Sequence, residues 1–371
     1  MKYFLAILPL ILMLALVAVA IIYLSNRFTL YFPAVSNKLW AFIFVASIVF
    51  SFLAILLPIF PQNFVGTIIC FAGSSLLAVI FFLLIFVGLT DLASLFVKMS
   101  PVFRGIASLL LATTVTAYGM INATDLRSKE ITVPIAGLTK EIKAVYITDV
   151  HLGNLWSKKH LEKIVDKAVE FDPDVIFNTG DMFDNKSHFN ENSDILNSLT
   201  KINVPHYFVY GNHDYDAGLD EALAFMKNAG VIVLRNEISY FDELQIIGLD
   251  NMLPDENSFN MHTKQGAETI KTIMEKLPIN ENLPTIALHH RPEGVKYMSD
   301  KKVDLLLAGH THAGQMFPFT LLTNALFPYN KGLYKYGDMS IYVSAGAGTF
   351  GPPVRIGTKS EITFVRLVPA D

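Results

Sequence analysis

Four short fragments carry acid, imidazole and amide side chains at spacings suited to chemistry: Asp149-Val-His151, Gly180-Asp181, Gly211-Asn-His-Asp214 and Gly309-His-Thr-His312. Carboxylate and imidazole donors without thiolates suit two borderline divalent ions, Mn²⁺ foremost with Fe or Zn possible by the same rule, better than a hard Ca²⁺ site. Strand side chains repeat every two residues, so Asp149 and His151 are expected to share one face, as are His310 and His312. Each pair could then grip an ion from one side. Two ions need a shared bridge, and Asp181, after the flexible Gly180, is the carboxylate best placed to supply it, with Asp184 supporting it from outside the ligand set. Asn212 would add a neutral oxygen ligand, leaving His213 to face a substrate and Asp214 to orient that imidazole. His290 would close the second site, although alternation along the strand by itself says only that one of His289 and His290 can face the ions.

Alone, an Asp-x-His is commonly a polar strand end and a Gly-Asp a turn. Here each fragment directly follows a short apolar run, at 144–147, 174–177, 207–209 and 303–307, and His290 follows 285–288. Strands would therefore deliver all of them to one edge of a sheet, where open α/β sheets place ligands. Helical spacing over 158–171, 219–228 and 262–277 alternates with strand-like segments at 231–234, 238–241, 244–249, 340–344 and 361–368. The pattern predicts an α/β sandwich with mixed sheets. His160, His188, His206 and His262 fall on expected helix or loop positions and read as ordinary surface or packing residues.

The first third of the chain has a different composition. Up to Thr124 the only charged residues are Lys2, Arg27, Lys38, Asp91, Lys98 and Arg104. Apolar runs at 4–24, 39–60, 64–90 and 105–123 each approach or exceed the ~20 residues that a helix needs to cross hydrocarbon. The first is too long for a signal-peptide core and is followed by three more. The fourth, diluted by threonines, is the weakest, and an interfacial placement is its alternative. The expectation is a membrane domain of four transmembrane helices over 1–124 and a second domain over 125–371. Arg27, Lys38, Lys98 and Arg104 lie on one side, opposite Lys2, Arg127 and Lys129, so positive charge barely discriminates orientation. Four spans put the amino terminus and the second domain on the same side, expected to be the cytoplasmic face of the inner membrane. The net charge of −4, without a basic run, argues against a nucleic-acid partner. The single cysteine, Cys70, excludes a disulfide framework and a thiolate metal site, and no protein partner can be inferred.

Taken together, Asp149-x-His151, Gly180-Asp181-x-x-Asp184, Gly211-Asn-His-Asp214, His290 and Gly309-His-x-His312 resemble the calcineurin-like metallophosphoesterase family over about 142–368. The resemblance implies two-metal hydrolysis of phosphate esters and anhydrides. It assigns Asp149, His151, Asp181 and His312 to a first ion, and Asp181, Asn212, His290 and His310 to a second. It leaves His213 to stabilise or protonate the leaving side.

The order of four spans, His-Thr-His-Ala-Gly-Gln315 and Gly-Pro-Pro-Val-Arg355 is further similar to membrane-attached UDP-2,3-diacylglucosamine pyrophosphatases of lipid A synthesis. Ala313-Gly314 departs from their Gly-Gly. That similarity implies a glycolipid-nucleotide substrate, cleaved to lipid phosphate and UMP at the bilayer surface. In keeping with lipid, the stretch 316–329 is apolar, and Phe317, Phe319, Leu321, Leu322, Leu326 and Phe327 could enter the interface if exposed. An inward-packing core segment is the alternative. The glycine-rich 344–351 and Arg355 are candidates for a phosphate contact. Two other functions stay open: a phosphodiesterase or phosphatase on another membrane-associated or extracytoplasmic ester, and a metal-bound sensor or scaffold without turnover. The completeness of the ligand set weighs against the last.

Overall fold

The computed structural model describes residues 2–56, 64–153, 155–156, 158–185, 189, 194–256, 258 and 268–370. The chain divides into two compact units, one of 1–121 with 351–354 and one of 122–350 with 355–371.

The first unit is built on four helices: α1 (Lys2–Tyr31), α2 (Asn37–Leu56), α3 (Phe64–Ala93) and α4 (Pro101–Thr124). Each is long and apolar enough to cross a membrane. Helices are what such sequences must form, because hydrocarbon offers the backbone no hydrogen-bond partner outside the segment. Ile11, Leu12, Leu14, Leu16, Val19 and Ile22 of α1 remain exposed, as a lipid-facing surface requires. The fourth helix, expected from sequence to be the weakest, runs unbroken for 24 residues.

The second unit is a four-layer sandwich. Its first sheet contains β1 (Leu126–Ile135), β2 (Ile142–Ile147), β3 (Val175–Asn178), β4 (His206–Phe208), β5 (Ile232–Val233) and β12 (Ser360–Pro369), in the order β1-β12-β2-β3-β4-β5. The second contains β6 (Glu237–Phe241), β7 (Leu244–Gly248), β8 (Thr285–Leu288), β9 (Leu305–Ala308), β10 (Gly332–Tyr336) and β11 (Met339–Val343), in the order β10-β11-β9-β8-β7-β6. Both sheets are mixed. The run β2-β3-β4-β5 is parallel, while β12 meets β2 antiparallel and β1 parallel. In the other sheet β7, β8, β9 and β11 run parallel, edged by antiparallel β6 and β10.

Alternation within these strands explains the layers. Ala144 and Tyr146 of β2 pack between the sheets with Phe177, Ile286, Leu288, Leu305 and Leu307. Val145 and Ile147 face the other way, against Leu161, Ile164 and Val165 of α5 (Lys158–Glu170) and Phe225 and Met226 of α7 (Asn212–Asn228). The second sheet is covered on its outer face by α8 (Ile270–Lys276) and α9 (Val295–Ser299). Strands buried on both faces read as unbroken apolar runs, which is why they were visible in the sequence. A short α6 (Asp194–Leu199) and α10 (Phe319–Leu326) complete the order.

Several expectations change. His206 lies in a strand rather than a loop or helix, and it is buried, as is His160 on α5. The helix expected over 262–277 is seen as α8; 262–267, His188 and His262 lie outside the described residues. Strands β1 and β10 were not expected. β1 alternates only partly and carries Pro134, which is tolerated because β1 lies at a sheet edge.

Candidate metal centre

All the expected ligands, and the expected proton donor His213, sit just past the carboxyl ends of parallel strands: Asp149 and His151 after β2, Asp181 after β3, Asn212 and His213 after β4, His290 after β8, and His310 and His312 after β9. Two sheets thus contribute to one site. Backbone bonds stitch the loops together: Asp149 N–H donates to Gly180 O (2.9 Å), His151 N–H to Asp181 O (3.0 Å) and Gly309 N–H to His290 O (2.9 Å).

Strand alternation does not account for the convergence of the pairs. β2 ends at Ile147, and Asp149 and His151 both take the left-handed conformation, each at φ 54°. Asp181, His310 and His312 do the same, at φ 50°, 71° and 48°. Left-handed backbone costs a non-glycine residue roughly 1 kcal/mol or more, so five such positions in one cluster mark a site whose geometry is held by its surroundings. Asp181 is itself preceded by Gly180 at φ +89°, where a Cβ would run into the backbone of Val209, Tyr210 and Gly211.

The donors fall into two groups joined by Asp181. In the first, His151 Nε2 lies 3.0 Å from His312 Nε2, and Asp149 Oδ1 lies 3.4 Å from His312 Nε2 and 3.9 Å from His151 Nε2. In the second, His290 Nε2 lies 3.2 Å from His310 Nδ1. Asp181 Oδ2 is 3.1 Å from His290 Nε2 and 3.9 Å from His151 Nε2, between the two groups, while its Oδ1 accepts from His213 N–H at 2.8 Å. Asn212 Oδ1 is buried without a hydrogen-bond partner, an arrangement that costs about 1 to 3 kcal/mol unless something else binds there. Ligands held at roughly 2.1 Å from one ion lie about 3.0 to 3.4 Å from each other. The facing imidazole nitrogens, the separations and the orphaned amide oxygen therefore fit a binuclear cation site.

Charge within the site is heavily coupled. Burial raises the Asp149 carboxyl, and the nearby Asp181 charge adds to that against the histidines. Burial alone would raise Asp181 too, but His290 and His213 hold it well below the usual range. The counterpart is His290, depressed by burial yet lifted to about 9 by Asp181, and His213, likewise lifted to about 10 by Asp181 and Asp184. His312 is held well below its ordinary value by burial and by neighbouring His151 and Arg355. These acids demand positive charge, from protons or from cations.

The chain matches the calcineurin-like phosphoesterase family over residues 142–314. It is 34% identical over 245 residues to an uncharacterized metallophosphoesterase of Helicobacter pylori strain 26695, spanning 65% of this chain and 64% of the relative, a little under two thirds of its length. An uncharacterized metallophosphoesterase of Aquifex aeolicus is 31% identical and is covered over 98% of its own length. This chain belongs to the calcineurin-like metallophosphoesterase family. A zebrafish (Danio rerio) transmembrane protein with a metallophosphoesterase domain is 26% identical over 91% of this chain and 82% of its own.

Not every residue of the metallophosphoesterase sits as expected. Asp214 does not touch the His213 ring: its carboxylate accepts from the backbone N–H groups of Met182, Phe183 and Gly211 at 2.9, 3.0 and 2.9 Å. It staples the Asp181 loop to the start of α7. Burial and the Asp181 charge raise it to about 7 against those bonds. The acid beside His213 is Asp184, whose Oδ1 lies 3.2 Å from His213 Nδ1 and 2.7 Å from His151 Nδ1. It supports these two rings rather than Asp181. The Gly-Asp-x-x-Asp spacing was the signal for Asp184, but its partner could not be read from it.

His290 is the member of the pair that joins the cluster, its Nδ1–H donating to Thr179 O at 2.8 Å, while His289 Nδ1 pairs with Arg291 O. Arg355 is fully buried, and its guanidinium is spent on the carbonyls of Ala345, Gly346, Gly348 and His312 and on Thr358. It binds the glycine-rich loop together and has no open face for a substrate phosphate, which corrects the contact expected of it. Phe317 and Phe319 are 50% and 40% exposed, and no residue of α10 is buried. The inward-packing alternative for 316–329 is thereby set aside for α10. Phe350, missed in the sequence, meets the His213 ring edge-on at 5.1 Å between centroids and is itself more than half exposed.

Proposed function

We propose that this protein is a membrane-anchored metal-dependent phosphohydrolase acting on a lipid-borne phosphate anhydride, with UDP-2,3-diacylglucosamine as the candidate substrate and lipid phosphate and UMP as products. Family membership and the clustered oxygen and nitrogen donors support the reaction class. Asp149, His151, Asp181 and His312 would hold one divalent ion, and Asp181, Asn212, His290 and His310 the other, with Mn²⁺ the expected metal. Such ions, when bound, supply an activated water and positive charge against the phosphoryl oxygens.

The chain's own residues have separate tasks. Asp181 Oδ1, fixed by the His213 amide, turns Oδ2 between the two donor groups. Asp184 sets the His213 ring, 23% exposed at the edge of the cluster, as the proton donor to a leaving oxygen. The lipid assignment is carried by α10. Phe317, Phe319, Leu321, Leu322 and Leu326 present an uncovered apolar surface, and Phe327 ends it 6.2 Å from the His310 ring, in a chain with four candidate spans. Apolar surface of this kind beside a polar site suits acyl chains or the bilayer interface. The zebrafish relative described as a transmembrane protein supports the anchoring, and a cytoplasmic face is the orientation that gives access to a nucleotide-linked lipid.

The test is hydrolysis of UDP-2,3-diacylglucosamine by detergent-purified protein with Mn²⁺, beside an Asp149→Ala control and a panel of generic phosphodiesters. UMP released only by the intact site supports the assignment. Turnover confined to the generic esters keeps the metal chemistry and discards this lipid, and no turnover with any metal returns the sensor or scaffold reading.

A further inference from the structure

The helical unit contains a second polar cluster, at the end where α1 and α3 finish and α4 begins. Asp91 accepts hydrogen bonds from Tyr23 Oη (2.7 Å) and Tyr31 Oη (2.8 Å) and pairs with Arg27 Nε (2.7 Å) and Arg104 Nη1 (3.1 Å). One carboxylate thus faces two guanidinium groups. Arg104 also donates to Ser94 Oγ (2.9 Å), and its ring-side contact is the Tyr31 face, 5.3 Å away. Its Nε is buried and has no hydrogen-bond partner. Lys98 adds a third positive charge, so the cluster carries two more cationic than anionic groups.

Ser94, Lys98 and Arg104 also line, with Met99 and Ser100, an open pocket of about 480 Å³. Ser100 caps the first turn of α4 by accepting from Phe103 N–H, so the pocket also meets the positive end of a 24-residue helix. Directly beside it Leu95, Phe96 and Val97 are 76%, 83% and 57% exposed, an apolar rim that water would not favour. A cationic, hydroxyl-lined pocket next to an apolar rim, at the end of membrane-length helices, is complementary to a negatively charged group that arrives attached to hydrocarbon.

We propose that this pocket seats the phosphate headgroup of an anionic phospholipid, with Lys98 and Arg104 as its charge partners and Ser100 as its hydroxyl donor, the Ser94 hydroxyl being spent on Asp91 O (2.6 Å). Asp91, held by four donors, keeps Arg104 in place and is a positioning residue. The site is separate from the phosphohydrolase cluster and does not depend on the metals or on the substrate. It does rest on α1–α4 being membrane spans.

The experiment uses the full chain in detergent micelles, titrated in parallel with phosphatidylglycerol, phosphatidylcholine and inorganic phosphate, reading the melting temperature and, by native mass spectrometry, retained lipid. Phosphatidylglycerol should raise the melting temperature and stay bound where phosphatidylcholine does not. Lys98→Gln, an exposed position outside the Asp91 network, should weaken phosphatidylglycerol binding about fivefold. Arg104→Gln should weaken it further, and Lys98→Gln keeps the test decisive if that variant fails to fold. Equal effects of the two lipids, or unchanged phosphatidylglycerol binding in Lys98→Gln, would overturn the proposal. Inorganic phosphate matching phosphatidylglycerol would overturn the lipid assignment in favour of a soluble anion. Release of the unmodified protein from membranes by alkaline carbonate would instead remove the membrane assignment on which the site depends.

Discussion

Asp184 Oδ1 stands 2.7 Å from His151 Nδ1. The same oxygen is 3.2 Å from His213 Nδ1, so one carboxylate sets the tautomer of an expected metal ligand and of the expected proton donor. His151 Nε2 is then directed into the cluster, 3.0 Å from His312 Nε2. Removing the acceptor while keeping the shape, as in Asp184→Asn, should lower metal affinity and hydrolysis together, by roughly ten- to a hundredfold. Metal content by elemental analysis and kcat on a generic phosphodiester check it. Unchanged metal affinity would confine Asp184 to His213.

His213 is distinguished from its neighbours by what it does not share. It stands outside the two donor groups that Asp181 joins, clustering instead with Asp184 and the back of the His151 ring, and its backbone amide is engaged with Asp181. His213→Ala should leave metal content intact and reduce kcat by roughly a hundred- to ten-thousandfold. Retained activity would remove His213 from the mechanism.

Much of this site was readable because its strands are buried on both faces. Val145 and Tyr146, or Ile176 and Phe177, form unbroken apolar runs, and the motif that follows each run marks the strand end. What could not be read is the backbone between strand and ligand. Asp149, His151, Asp181, His310 and His312 converge through left-handed residues that no side-chain periodicity reports. Long-range partners were equally hidden. Asp214 looked like the partner of its neighbour His213, yet its carboxylate turns to three backbone amides, and Arg355 looked like a phosphate ligand, yet it closes a loop from within.

Gly180 puts the conformational argument to a direct test. At φ +89°, with the backbone of Tyr210 and Gly211 against it, this position has no flexible neighbour that could yield. Gly180→Ala should destabilise the second unit by more than about 4 kcal/mol, in the range reserved for severe strain or overpacking. Gly230, at φ +80° with nothing within 4 Å of an added Cβ, is the control. Gly230→Ala should cost only about 1 to 2 kcal/mol. Equal losses in thermal denaturation would show that backbone strain alone, not the close approach at Gly211, decides Gly180.

Acid should weaken the second unit through His206. Burial depresses this imidazole to about 4, and both ring nitrogens lack partners. Its folded pKa lies below the unfolded value of about 6.5, so the unfolded chain binds the proton more readily. Stability is then complete above about pH 6.5 and is lost as pH falls towards 4, with roughly 2 kcal/mol gone at pH 5 from this residue. His160, also depressed to about 4 by burial, adds a similar slope. His206→Leu should therefore raise the melting temperature more at pH 5 than at pH 7.5. An equal change at both would place the titrating group elsewhere.

The exposed helix α10 separates a membrane role from a packing role. Leu321 and Leu326 are 60% and 65% exposed, so charged replacements there remove no buried contact. If α10 meets the bilayer or the acyl chains of a substrate, Leu321→Glu with Leu326→Glu forfeits burial of two leucines and should raise KM for a vesicle-borne lipid substrate at least tenfold. A soluble nitrophenyl phosphodiester never needs that surface, and its kcat/KM should stay within about twofold of the unmodified protein, since surface changes usually cost little. The soluble substrate lacks the acyl chains that α10 would meet. A matched fall in both would mean that α10 acts through the His310 and His312 loop, to which Thr311 and Asn330 tie it, rather than through lipid.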